Sequence, residues 1–232
     1  MQLFYQPLIA KGVHTLDEEE SRHARKVLRL ETGAEIQITD GKGKFYEARL
    51  TNTESKSCEF MVLKSEQAPS QNHKIHIAIA PTKNADRIEW FVEKVVELGI
   101  NKISFLLCKN SERKSINLER IEKKAISAMK QSGQAYLPEI QEIRPFRQVI
   151  AESNEAGKFI GFVDEQNPLL LKNLAKPSAS YLVMIGPEGD FSHDEMQTAL
   201  QQGFAKVSLG QNRLRTETAG IAACHILNLI NS

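Results

Sequence analysis

At 232 residues with 41% hydrophobic content, the chain is long enough for one large domain or two modest ones with real cores, which excludes disordered and fibrous classes. Thirty Lys+Arg against 29 Asp+Glu leave a net charge of +1, so an anionic partner has to be met by a local basic patch rather than a global field. Cys58, Cys108 and Cys224 are widely spaced and form no Cys-x-x-Cys pair, which argues against a disulfide framework or zinc site and fits a reducing cytoplasm. No basic region followed by an apolar run opens the chain, and no segment approaches the roughly 20 apolar residues that span a bilayer. The expectation is a soluble cytoplasmic protein with no membrane contact.

Residues 1 to about 65 mix one short helix with short strands. Thr15-Leu16-Asp17-Glu18 has capping-box spacing, and Glu19 to Leu30 predicts an amphipathic helix with Val27 and Leu28 on one side. Strand patterns follow over Glu35–Thr39, Lys44–Leu50 and Cys58–Leu63, with a turn at Asp40-Gly41-Lys42-Gly43, and together these predict a small β-barrel. The polar stretch Glu66–Asn72 contains a proline and no periodicity, so it reads as the linker.

From His73 onward strands alternate with helices. Lys74–Ala80 predicts a strand and Asp86–Leu98 a helix, with Ile88, Phe91, Val92 and Val95 at helical spacing before Gly99. A strand at Ile103–Leu107 precedes a helix from about Asn117, with Leu118, Ile121, Ala125 and Met129 on one face. Pro145 opens a short helix, and three apolar strands follow at Lys158–Val163, Tyr181–Ile185 and Ala205–Leu209. Such alternation predicts an α/β fold with a largely parallel sheet covered by helices on both faces.

Two glycine-bearing loops stand where a strand gives way to a helix: Ile185-Gly186-Pro187-Glu188-Gly189-Asp190-Phe191-Ser192, and Leu209-Gly210-Gln211-Asn212-Arg213-Leu214-Arg215-Thr216-Glu217-Thr218-Ala219. In an open α/β sheet, loops leaving the carboxyl ends of neighbouring strands face a common crevice, and glycines there let backbone approach a ligand. Ser192 and Glu195 form a second capping-box signature, so the first loop ends at a helix N-terminus whose free amides favour a polar or anionic ligand. Neither a P-loop nor a dinucleotide-binding glycine pattern is present. A lone Gly-Pro-Glu-Gly also reads as a tight turn. The second loop tips the balance, because Arg213, Arg215, Thr216, Glu217 and Thr218 crowd into six residues.

The strings Ile185-Gly-Pro-Glu-Gly189 and Leu214-Arg-Thr-Glu-Thr-Ala219, the latter preceded by Leu209-Gly210, resemble the ligand loops of the bacterial 16S rRNA uracil-N3 methyltransferases, knotted enzymes of the SPOUT class. The similarity extends to Lys94-x-x-Glu97-Leu98-Gly99, Ser111-Glu112-Arg113 and Gln131-Ser132. In the N-terminal segment, His23-Ala24-Arg25-Lys26-Val27-Leu28-Arg29 and Asp40-Gly41-Lys42-Gly43 are similar to that family's PUA-like RNA-binding domain. The resemblance implies a PUA-like β-barrel over residues 1–68 and a SPOUT α/β domain with a C-terminal trefoil knot and parallel sheet over residues 73–232. It also implies S-adenosyl-L-methionine as cofactor, 16S rRNA of the small ribosomal subunit as substrate, and a homodimer. Two departures stand out: Asp190 replaces a usual third glycine, where it is expected to cap the following helix with Ser192, and Gln211-Asn212-Arg213 replaces the commoner Pro-Arg-Ile.

By that resemblance the cofactor lies against Phe162, Val163 and Asp164, against Ile185, Gly186, Pro187, Glu188 and Gly189, and against Leu209, Gly210, Asn212, Leu214, Arg215 and Thr216. Uracil N3 is a weak acid, so its methylation needs a proton acceptor and a stabiliser for charge growing on O2 or O4. Arg215 is the candidate stabiliser, with a surface salt bridge as its alternative. Glu217, and behind it Glu188, is the candidate acceptor; the alternative for Glu217 is a carboxylate paired with the helix dipole. Cys224 reads as core packing. Arg22, Arg25, Lys26 and Arg29 share one side of a predicted helix and read as phosphate contacts or as a solvated face balanced by Glu18 to Glu20. Lys83, Arg87 and Arg113 are expected to border the cleft and meet RNA. The histidines lack ligand spacing, so no metal is expected. The competing readings are a related SPOUT enzyme acting on a ribose 2′-hydroxyl or on tRNA, and a catalytically silent RNA-binding or ribosome-assembly protein.

Overall fold

A four-stranded sheet and a six-stranded sheet organise the computed structural model, which describes residues 2–162 and 169–232. The chain divides into two units, one of Met1–Ser70 with Ile126–Leu137 and the other of Gln71–Ala125 with Pro138–Ser232.

In the first unit, β1 (Leu3–Tyr5) lies parallel to β2 (Glu35–Thr39), which pairs antiparallel with β3 (Lys44–Asn52), itself antiparallel to β4 (Glu59–Gln67). Alternation along β3 turns Tyr46, Ala48 and Leu50 inward onto Phe4, Leu16, Ile36, Ile38 and Phe60. The expected turn forms because Asp40 Oδ1 accepts from the N–H groups of Lys42 (2.7 Å) and Lys44 (3.1 Å).

Three local expectations need correction. Glu66 and Gln67 are not linker but the end of β4, paired with Phe45 and Lys44, because backbone pairing overrides a polar composition. Helix α1 (Glu18–Arg22) is capped by Asp17, whose Oδ1 accepts from Glu20 N–H at 2.7 Å, while Thr15 bridges Glu59. After Arg22 the backbone widens into a π-helical turn over His23–Val27, with Leu28 N–H reaching His23 C=O. One continuous 3.6-residue period therefore does not run from Glu19 to Leu30, and Val27 stands 65% exposed.

The second unit contains β5 (Lys74–Ile79), α2 (Ala85–Glu97), β6 (Lys102–Leu107), the first half of α3 (Leu118–Gln131), β7 (Glu139–Pro145), α4 (Phe146–Glu152), β8 (Gly157–Gly161), α5 (Leu171–Leu174), β9 (Ser180–Ile185), α6 (His193–Gln201), β10 (Ala205–Val207) and α7 (Thr216–Asn231). The strand order is β10-β8-β9-β5-β6-β7 and every neighbouring pair is parallel. Central strands are buried on both faces, as the near-continuous runs Ile75–Ile79 and Tyr181–Ile185 require. Sequence patterning missed β7, an edge strand whose mostly polar residues do not alternate with apolar ones, and α5, which is too short for a helical period.

Helix α7 approaches the sheet closely because Gly220 has no side chain. A Cβ there would stand 2.5 Å from the Phe91 ring of α2 and 3.2 Å from Ile79 Cδ1 of β5. Gly220→Ala gains about 1 kcal/mol in helix propensity, yet overpacking costs about 1–3 kcal/mol. The expected outcome is a net loss of stability and a displaced α7 start, read by denaturant unfolding.

Across the sheet, His76 Nδ1 lies 2.8 Å from Glu155 Oε1 and Nε2 lies 2.7 Å from Ser104 Oγ. Gln141 donates through Nε2 to Glu139, which leaves its Oε1 to accept from Ser104 Oγ at 2.9 Å. Ser104 thus donates to Gln141, while its oxygen lies within hydrogen-bond reach of His76 Nε2 and Glu155 faces His76 Nδ1. Burial pushes the Glu155 carboxyl up, but hydrogen bonds from His76 and from backbone N–H groups outweigh it and hold the group below its ordinary range. A depressed carboxylate stabilises the fold above its unfolded pKa and loses that contribution as pH falls through the lower folded value. In thermal melts, Glu155→Gln should cost about 1–3 kcal/mol at pH 7, with the gap from the parent narrowing towards pH 3. A constant gap would refute the His76–Glu155 pairing.

Candidate functional site

Parallel pairing delivers the segments after β8, β9 and β10 to one edge, where they and the start of α7 enclose a cavity of about 800 Å³. Phe162, Ile185, Gly186, Pro187, Glu188, Leu209, Gly210, Asn212, Leu214, Arg215, Thr216 and Glu217 all line it. Val163 and Asp164 lie outside the described residues. The cavity also takes in Leu170, Val207, Ser208, Asp190, Gln211, Arg213 and Arg87, of which Leu170 carried no sequence signal.

Gly189 departs from expectation, because it is not part of the lining. Its Cα face packs on Asn110, where a Cβ would meet Asn110 Cβ at 3.3 Å, and its carbonyl accepts from Asn110 Nδ2 at 3.1 Å. The glycine lets the loop approach Asn110 closely.

Asp190 has φ 61°, the left-handed region that favours glycine, which explains why a glycine is usual at this position. Aspartate tolerates it because Oδ1 accepts from the N–H of Phe191 at 2.8 Å. It does not cap α6. That helix has a complete capping box between Ser192 and Glu195, as the spacing predicted.

At the amino end of α7, Arg215 is the N-cap residue, with extended backbone and its carbonyl accepting from Ala219 N–H at 2.8 Å. Its exposed guanidinium has no hydrogen bond or ion pair among the described residues. Two residues on, the Glu217 side chain is only 6% exposed, and its nearest charge is Arg87 Nε at 3.9 Å from Oε1. Glu188 is exposed and accepts through Oε1 from Lys83 N–H at 3.0 Å. The cavity therefore pairs an apolar part (Phe162, Ile185, Leu209, Leu214) with a polar part (Glu188, Arg215, Glu217). Cys224, by contrast, is buried in α7 and its thiol is pushed up to about 12, which agrees with packing.

The basic residues divide. Arg22, Lys26 and Arg29 are exposed. Arg25 is tied to the carbonyls of Ser21 and Lys56. Lys83 pairs with Glu112 at 3.1 Å, Arg87 lines the cavity, and Arg113 donates to the backbone carbonyls of Thr82 and Lys83. No cluster of three or more metal-ligating side chains exists among the described residues, and none of their helices is long and apolar enough to cross a membrane.

These features define a parallel α/β domain with a nucleotide-sized crevice at the carboxyl ends of its strands, joined to a small β-rich unit. Residues 69–228 match the family model for an RNA methyltransferase domain, and residues 16–63 match that for an RNA methyltransferase PUA domain. The chain belongs to this RNA methyltransferase family. It is similar to the crystal structure of a probable rRNA-methyltransferase from Porphyromonas gingivalis, with 41% identity, a TM-score of 0.94 and coverage of 100% of this chain and 98% of that one. A ribosomal RNA small subunit methyltransferase E from Neisseria gonorrhoeae, solved bound to S-adenosyl methionine, is 29% identical with a TM-score of 0.88, covering 100% and 98%. The ribosomal RNA small subunit methyltransferase E of Aquifex aeolicus is 28% identical over 233 residues, 98% of this chain and 99% of that one.

Burial raises the Asp190 carboxyl above its ordinary range, although the Phe191 N–H and the charge of Arg213 oppose the rise. A raised carboxyl stabilises the fold at low pH and loses that contribution as pH rises through the folded value. Asparagine keeps both the left-handed preference and the acceptor. Asp190→Asn should therefore raise the melting temperature at pH 7 and leave it unchanged near pH 3, as measured by calorimetry.

Proposed function

We propose that this chain transfers a methyl group from S-adenosyl-L-methionine to N3 of a uridine in 16S rRNA of the small ribosomal subunit. The observation that carries the reading is the amino end of α7, where an uncommitted guanidinium, Arg215, and a buried carboxylate, Glu217, face one cavity two residues apart. Similarity to a small-subunit rRNA methyltransferase solved with the same methyl donor supports the choice of cofactor and RNA class.

The residues present fit that donor. Phe162, Ile185, Leu209 and Leu214 suit an adenine ring, and Glu188, with only one oxygen held by Lys83 N–H, suits a hydroxyl or ammonium group. When bound, the donor supplies an electrophilic methyl on a sulfonium. Arg215 holds the uracil oxygen on which charge grows as N3 loses its proton, and Glu217 takes that proton. With that proton on Glu217 and the oxygen charge on Arg215, N3 would be left nucleophilic towards a methyl group held in the cavity. Arg87 stays beside Glu217 and balances its charge.

Residues 1–68 serve as the PUA-like RNA-binding domain, with Arg22, Lys26 and Arg29 as phosphate contacts, and residues 73–232 as the catalytic SPOUT domain. Two copies associate as a homodimer; the exposed apolar side chains Trp90 of α2 (46% exposed) and Leu229 of α7 (60%) support the reading. The protein works in the cytoplasm.

Arg215→Ala should lower kcat about 10²–10³-fold, the usual effect of removing one oxyanion donor, while donor affinity stays within a few-fold. Nucleoside mass spectrometry of small-subunit rRNA from cells carrying only this variant should show 3-methyluridine sharply reduced. Full 3-methyluridine in cells lacking the protein altogether would sink the assignment.

A further inference from the structure

Arg113 combines an unusual commitment with an unusual position. Its Nε donates to Thr82 O at 2.9 Å and its Nη2 to Lys83 O at 2.7 Å. The Nε–Nη2 edge of the guanidinium is thereby fixed on two backbone carbonyls. The carbonyl of Thr82 and the N–H of Lys83 belong to one peptide plane, and that N–H donates to Glu188 Oε1 at 3.0 Å. In a trans peptide these two groups point in opposite directions. The plane is therefore gripped from both sides, with a cation at its carbonyl and a carboxylate at its N–H, and its dipole lies along the line joining them.

The segment that carries Arg113 grips the same region at two further points. Asn110 Nδ2 donates to the carbonyls of Gly189 and Asp190, each at 3.1 Å, and Lys109 N–H donates to Glu195 Oε1 at 2.8 Å. Within the segment, Ser111 Oγ accepts from Cys108 N–H at 3.0 Å. Residues 109–113 thus hold both the post-β9 loop and the Thr82–Lys83 peptide, and through that peptide the Arg113 arm connects to the side chain of Glu188, which lines the cavity.

We infer that Arg113 is a positioning residue for the methyl-donor site, acting on Glu188 through the Thr82–Lys83 peptide. The inference rests on the assignment of the cavity to S-adenosyl-L-methionine, and it replaces the expectation that Arg113 contacts RNA. Glu188 keeps one carboxylate oxygen on Lys83 N–H and presents the other to the donor. Without the Arg113 fork the peptide is free to rotate, and Glu188 loses both its anchor and its orientation.

Calorimetric titration with S-adenosyl-L-methionine tests this on the full chain, beside RNA binding measured over a range of salt. Arg113→Lys keeps the charge but cannot span both carbonyls. It should weaken donor binding at least tenfold while RNA affinity and its salt slope stay at the parent values. In a Glu188→Gln background the same substitution should change donor affinity less than threefold, because the group it positions is already altered; a change in overall stability alone would not produce this coupling. Equal donor affinity in parent and Arg113→Lys, additive effects in the double variant, or a salt slope reduced by about one with donor binding intact would each overturn the inference. Failure of the parent protein to bind the donor would overturn the functional reading itself, a result separate from any difference between variants.

Discussion

Val207, Gly161, Ile185 and Ile79 lie in register across β10, β8, β9 and β5, and Phe105 of β6 continues the row. In a parallel sheet such a row fixes where each strand stops relative to its neighbours, since the ladder bonds leave no freedom to slide without turning every side chain to the other face. The loops that follow β8, β9 and β10 therefore begin side by side. Their sequences are free to differ, but their starting points are not, and the cavity forms where three segments leave a regular edge together. Close seating of α7 through Gly220 completes the enclosure by bringing Arg215 and Glu217 to the same edge.

Most of this arrangement was legible in the residues. Apolar runs at Lys74–Ile79 and Ser180–Ile185, separated by helical spacing, require a two-sided parallel sheet, and glycine-bearing loops after such strands mark a ligand edge. What could not be read was local and had physical reasons. Strand β7 is an edge strand held mainly by backbone pairing, so its side chains carry little pattern. The π-helical turn at His23–Val27 adds a residue to the helical period and turns Val27 outward, which no count at 3.6 residues per turn anticipates. Gly189 looked like ligand-facing backbone because glycine signals close approach without saying to what.

Charge was the least legible property. A basic residue in a sequence is the same letter whether it meets phosphate, carboxylate or a carbonyl. Arg25 and Arg113 are held by backbone carbonyls, Lys83 by Glu112, and Arg87 sits beside a buried carboxylate. Arg215, at the α7 start, has no hydrogen bond or ion pair among the described residues, and Arg213 acts only through its charge on Asp190. Near-neutral net charge hides this sorting, since it does not say which cations of the α/β unit are paired, as Lys83, Lys94 and Arg120 are, and which are not.

Cys108 closes β6 just before the bracing segment, and its thiol is pushed up to about 12 by burial and by the nearby carboxylate of Glu195. A thiol so protonated and enclosed is inert while the segment stays seated. Its packing against Phe146 and Phe191 encloses it further, so reaction with alkylating reagents requires that packing to open.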